Sequence, residues 1–128
     1  MLFRFGSLLN PAYPVTEDLL ASADFRRGFE HLERLTLSFD AWLFFHQLPR
    51  LTALARAFPR SRIALNHVGG ILGIGDYTGR RNDVYEQWSR GLRDLASCPN
   101  VSIKLGGLGM RMCGFGFHAQ EQIGRAHV

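Results

Sequence analysis

Two histidines stand where chemistry is easiest to build. His67 closes the run Arg62-Ile63-Ala64-Leu65-Asn66 and is followed by Val68-Gly69-Gly70, while His46 closes the denser run Trp42-Leu43-Phe44-Phe45. A neutral imidazole can hold a divalent metal, polarise a carbonyl or move a proton near neutral pH. Beyond His67 lies a glycine-rich stretch, Gly69 to Gly79, which carries Asp76 and Tyr77 and leads into Arg80-Arg81. A guanidinium in that loop could grip a substrate carboxylate through two parallel hydrogen bonds, which makes Arg80, Arg81 and Tyr77 the candidate substrate-binding residues. The plainer roles stand beside these: a histidine near a strand end can be a hydrogen-bonded packing residue, and an arginine pair can be the solvated start of a helix.

Other reactive types are less organised. Cys98 and Cys113 are too few and too far apart in sequence for a disulfide framework or a zinc site of their own. Gly73-Ile74-Gly75 has neither the third glycine of a dinucleotide loop nor the Lys-Ser/Thr of a phosphate loop. Asp40 is expected mid-strand as a buried hydrogen-bonding residue, and Lys104 as a structural residue with its stem packed and its amine near a strand end. His118 follows Gly114-Phe115-Gly116-Phe117 and pairs with nothing that would make it a ligand.

The elements that must position these groups follow from periodicity. Leu2 to Leu9 is an apolar segment stopped by Asn10-Pro11 and Pro14 and reads as a first strand. Thr16 can cap a short helical piece, and Asp24 a second with Phe25, Phe29 and Leu32 on one face. Arg34 to His46 reads as a strand through the alternation Leu35, Leu37, Phe39, Ala41. Gln47 to Phe58 reads as a helix with Pro49 in its first turn. The run before His67 reads as a short strand buried on both faces, because its residues are apolar without alternation. A helix from Asp83 to about Ser97 follows, capped by Asn82 or Asp83, and Val101 to Leu105 is the last strand. Strands alternating with single amphipathic helices predict right-handed βαβ units, an α/β fold with a parallel sheet, and strand C-terminal ends that carry the site.

Composition narrows the function classes. A chain of 128 residues with 46% hydrophobic content is one globular domain at most, and no stretch approaches a membrane span. Met1 to Leu9 lacks the charged lead-in and cleavage site of a secretory leader, so the expected location is cytoplasmic. The net charge of +4 comes from scattered arginines and the single lysine Lys104, with no dense basic stripe, which argues against nucleic-acid binding.

Several of these segments, taken in order, form a recognisable set. Phe39-Asp40-Ala41-Trp42 leading to His46-Gln47-Leu48-Pro49, then Ala57-Phe58-Pro59, Leu65-Asn66-His67-Val68-Gly69, Trp88, and Asn100-Val101-Ser102-Ile103-Lys104-Leu105-Gly106-Gly107-Leu108 resemble the amidohydrolase-related branch of the amidohydrolase superfamily. That branch includes sugar-lactone hydrolases and 2-pyrone-4,6-dicarboxylate lactonase-like enzymes. The resemblance covers about Leu35 to His118. It implies a (β/α)8 TIM barrel, of which this chain would be a fragment holding roughly strands 4 to 7. Leu2 to Leu9 would be the fourth strand, and the strands leading to His46, His67 and Lys104 the fifth, sixth and seventh.

The same resemblance implies a small-molecule substrate, a lactone or related cyclic ester that bears a carboxylate, with His67 and His46 as catalytic residues. In members that use a divalent metal such as zinc, these histidines would be two of its ligands; some lactone-cleaving members use none. The family's His-x-His pair of the first strand and aspartate of the eighth have no counterpart here, and Gly6 holds the place of a usual arginine. Alternatives are a metal-dependent decarboxylase of the same superfamily, or a fragment that is inactive by itself. Finally, Ile123 to Val128 matches one frame of a short-read sequencing adapter, ATC GGA AGA GCA CAC GTC, whose next triplet is a stop. Residues 1–122 are therefore read as a partial barrel domain and residues 123–128 as an appended translation, which removes His127 from the site candidates.

Overall fold

A computed structural model describes residues 19–116. The expected strand at Leu2 to Leu9, the Thr16 cap, His118 and residues 123–128 lie outside the described residues. Within them the order is α1 (Ala23–Arg34), β1 (Ser38–Ala41), α2 (Leu48–Ala57), β2 (Arg62–Leu65), α3 (Arg81–Leu95) and β3 (Val101–Ile103). The three strands form one parallel sheet in the unreversed order β1-β2-β3. Ser38 pairs with Arg62 and Ala41 with Leu65, while Ile63 pairs with Val101 and Leu65 with Ile103. The α/β class and the alternation of helices and strands are as the sequence predicted.

Burial alternates along β2, with Ile63 and Leu65 buried and Arg62 exposed. The strand is thus covered on one face rather than both: the apolar run contains Ala64, small enough to stand on the open side without being buried. The covered face joins Ala41, Ile63 and Leu65 to the helices. From α1, Phe29 packs edge-on to Phe39 at 5.2 Å and against Phe58 at 5.0 Å between ring centroids. From α2, Leu48, Leu51 and Leu54 are wholly buried. Gly91 of α3 lets that helix close on α2, since a Cβ there would stand 2.9 Å from both Cβ and Cδ1 of Leu48. On the opposite face Ser38, Asp40, Arg62 and Ser102 are exposed.

Several boundaries shift. The first helix is capped by Ser22, whose Oγ accepts from the Phe25 amide at 3.2 Å, not by Asp24, which falls in the first turn. The strand expected over Arg34 to His46 is only β1: Leu35 and Leu37 are 66% and 50% exposed, and the apolar run beyond Ala41 is loop followed by a 3-10 turn, Phe45–Gln47. Leu43, Phe44 and Phe45 are buried in succession rather than alternately, which an apolar run in the sequence does not distinguish from a strand. Helix α3 begins two residues early at Arg81, without a side-chain cap from Asn82 or Asp83.

Asn100 ties the far ends of the elements together. Its side-chain amide donates to the carbonyls of Ala55 at 3.1 Å and of Phe58 and Ser61 at 3.0 Å, so the end of α2, the turn into β2 and the start of β3 share one donor group. Asn100→Ala in the intact protein is expected to cost about 2 kcal/mol of stability, and Asn100→Asp more, because a carboxylate would face three carbonyls as an acceptor. Urea denaturation of the two variants checks the order.

Candidate functional site

The three strands end at one edge of the sheet, and the backbone beyond each strand supplies one wall of the site. The β1–α2 connection carries Trp42 to His46, the β2–α3 loop starts at Asn66, and Lys104 to Gly107 follow β3. Main-chain bonds extend the pairing past the formal strands: the Asn66 amide donates to Ala41 O at 2.9 Å and the Lys104 amide to Leu65 O at 2.9 Å. Beyond Asn66 the chain takes four left-handed residues in succession, His67, Val68, Gly69 and Gly70, with φ of 51°, 47°, 83° and 60°. His67 therefore lies in a tight turn two residues past β2, rather than in the strand itself.

This turn presses the loop against its neighbours. A Cβ at Gly70 would lie 2.1 Å from the Leu43 carbonyl oxygen, and the Phe45 amide donates to Gly70 O at 3.1 Å. At Gly107, with φ of 79°, a Cβ would come within 2.6 Å of His67 Cβ and Nδ1. The imidazole is thus held with its Nδ1 side over a glycine and its ring edge-on to Trp42, at 6.4 Å between centroids. His46 is not at a strand end but in the 3-10 turn five residues beyond Ala41, stacked on Phe44 at 6.1 Å and edge-on to Phe45 at 5.5 Å. Trp42 and Phe44 are themselves 5.2 Å apart, so a row of rings links the two histidines. Next to His67, the Asn66 side-chain oxygen is buried and has no hydrogen-bond donor among the described residues.

The remaining candidates separate. Tyr77 packs its ring edge-on to Phe45 at 5.2 Å and so joins the His46 side of the loop. Burial pushes its phenol above the usual range, with Arg80 acting in the opposite sense and Asp76 adding to the rise. Arg80 is exposed and ion-paired with Asp83 at 3.2 Å, at the start of α3. Arg81 turns elsewhere: it donates to Gly114 O at 3.3 Å and lies over the Phe115 ring at 5.0 Å. Lys104 reaches across Ala64 to an ion pair with Asp40 on the open face, so Asp40 is exposed rather than buried as expected. Gly107 and Trp42 were the functional-looking residues that periodicity missed; the doubled glycine Gly106-Gly107 was the available signal.

Among the described residues no three His, Cys, Asp or Glu side chains cluster closely enough to hold a metal ion. His46 and His67 alone do not complete such a centre.

The fold defines a parallel α/β protein whose candidate residues gather near the edge where the strands end. A family model described as Amidohydrolase matches residues 3–126, and the chain belongs to that family. It is similar to an L-fucono-1,5-lactonase of Burkholderia ambifaria, 39% identical over 56% of this chain and 22% of the relative. It also resembles protein y4mH of Sinorhizobium fredii, 37% identical over 68% of this chain and 27% of the relative. The chain thus spans about a quarter of the length of the curated relatives it matches. Among solved structures, a zinc-bound amidohydrolase from Burkholderia multivorans superposes with a TM-score of 0.61 at 28% identity, over 72% of this chain and 31% of that one.

Cys113 sits under this edge, buried, with its thiol donating to Gly107 O at 3.4 Å. Burial pushes its pKa up. Because Cys113 and Tyr77 ionise later in the folded state than in the unfolded one, their contribution to stability is intact below the ordinary thiol and phenol ranges and is lost as pH rises through the folded values. Urea midpoints are expected to fall from about pH 8.5 upward. Cys113→Ala should flatten the lower part of that decline and Tyr77→Phe the upper part.

Proposed function

We propose that this chain is the later-middle part of a (β/α)8 barrel, with β1, β2 and β3 as its fifth, sixth and seventh strands, and that the parent hydrolyses a lactone or related cyclic ester. The observation that supports this most is the fixed imidazole of His67 at the strand ends, in a chain of the amidohydrolase family that is similar to L-fucono-1,5-lactonases. The unreversed strand order with helices on one face also fits a barrel, whose interior would be the side bearing Asp40, Ala64, Ser102 and Lys104.

In this reading water adds to the lactone carbonyl, the ring C–O bond breaks, and the released alkoxide takes up a proton to leave a hydroxy acid. His67, with its Nδ1 side over Gly107, offers the Nε2 edge to substrate, where it polarises the carbonyl or orients water. His46 is assigned the second position, packed on Phe45 as Tyr77 is. Arg80 and Tyr77 are the residues proposed to meet a substrate carboxylate. Arg81, tied to Gly114 and Phe115, would order that loop more than touch substrate. A zinc-type metal in the parent would need donors beyond His46 and His67. A cytoplasmic location and a non-native origin for residues 123–128 complete the proposal.

The intact parent should open sugar lactones in a pH-stat assay, and His67→Ala should lower kcat/KM by about 100-fold or more. An unchanged rate removes His67 from the site, whereas carbon dioxide release without ring opening favours a decarboxylase. The 128-residue chain alone is proposed to be inactive and to self-associate, because β1 and β3 each present an unpaired edge among the described residues and one sheet face is open. A monodisperse, cooperatively melting sample would overturn that.

A further inference from the structure

Two of the four left-handed residues after β2 are not glycines. At His67 and Val68 the positive φ brings Cβ close to the following carbonyl, at roughly 1–2 kcal/mol each, and the β-branch makes valine a particularly poor occupant. Such a turn persists when its surroundings over-determine it. Main-chain bonds supply part of the restraint: the Val68 amide donates to Lys104 O at 3.2 Å, and the Gly69 and Gly70 amides donate to Asn66 O and His67 O, both at 3.0 Å. The Val68 carbonyl is held differently. It accepts the indole N–H of Trp88 at 2.7 Å, from a helix rather than from the sheet.

Trp88 lies midway along α3, between the buried anchors Val84 and Leu95, and three residues before Gly91, where α3 closes on Leu48 of α2. The same Leu48 is 3.3 Å from where a Gly69 Cβ would stand. The helix pair therefore fixes the indole, and the indole fixes the orientation of the peptide that follows Val68. Were that peptide to relax, the φ and ψ of Val68 would change, and His67 would lose the register that sets its ring between Trp42 and Gly107. Trp88 does not itself reach the reacting edge of the imidazole.

We propose that Trp88 is a positioning residue for His67, acting through its hydrogen bond to the Val68 carbonyl and the left-handed turn that this bond maintains. The inference rests on His67 being the reacting imidazole. The experiment is steady-state kinetics on the full-length parent with a lactone that it hydrolyses. Trp88→Phe keeps an aromatic ring and removes the donor; kcat should fall roughly tenfold, as for a displaced catalytic group, with KM within about twofold. The pH dependence of kcat should shift with it, a change that a loss of folded protein would not produce.

The double variant Trp88→Phe with Val68→Gly is the decisive arm, because glycine adopts the left-handed conformation without the steric cost and should restore most of the lost kcat. If Trp88→Phe folds poorly, replacing the indole by its benzothiophene isostere removes the N–H while keeping the shape. Unchanged kcat in the donor-less protein overturns the proposal. So does a loss that tracks the melting temperature and is not recovered by glycine at position 68. His67→Ala is run in parallel: if it leaves the rate unchanged, the site reading itself has failed, whereas a large loss there with none at Trp88 refutes the positioning role alone.

Discussion

The chain must leave β2 with its backbone lying directly against the backbone that left β1, and the arrangement at the strand ends depends on that contact. At Gly70 the approach to Leu43 O leaves no room for a side chain, and the Gly70 carbonyl in turn accepts from Phe45. A right-handed or extended exit would carry the chain away from this contact. The left-handed run begins at His67, so the placement of the imidazole and the docking of the two loops are one conformational choice. Gly107 completes it from the other side, where β3 ends and the absent side chain leaves space for the ring.

That choice is stabilised from behind by a one-sided core. Ala41, Ile63 and Leu65 project to the helices, and the wholly buried leucines of α2 fill the layer between sheet and α3. Burial of such side chains is worth about 1.5–3 kcal/mol each, far more than the exposed ion pairs of this chain contribute. The Asp40–Lys104 pair is in the second category: it spans the small Ala64 on the open face and sets where charge lies near the site, without holding the sheet together. The division of labour is physical, since the buried face specifies the scaffold and the open face is free to carry polar groups.

The arginines show how far chemistry by residue type can be carried. Arg80 and Arg81 are adjacent in sequence and alike in charge, yet at the first turn of a helix adjacent residues point about 100° apart. One pairs with Asp83 on its own helix, and the other reaches a segment more than thirty positions away, at Gly114 and Phe115. Tyr77 packs on Phe45, which also meets His46. A shared loop did not mean a shared environment.

The sequence by itself determined the alternation of helices and parallel strands, because periodicity and helix-breaking residues are local properties of the chain. It also determined the family, through motifs such as Leu65-Asn66-His67-Val68-Gly69 and the run from Asn100 to Leu108. Only the tertiary structure decided which face of β2 was covered, since an apolar run of four residues reads the same whether one side or both are packed. It alone shortened β1, where Leu43 to Phe45 are buried by contacts from other elements rather than by strand pairing, while Trp42 stays exposed. And it alone set the placement of the His67 imidazole, because the left-handed turn at His67 and Val68 is opposed by local preference at both residues. Contacts with Trp88, Lys104, Leu43 and Gly107, all distant in sequence, hold it in place.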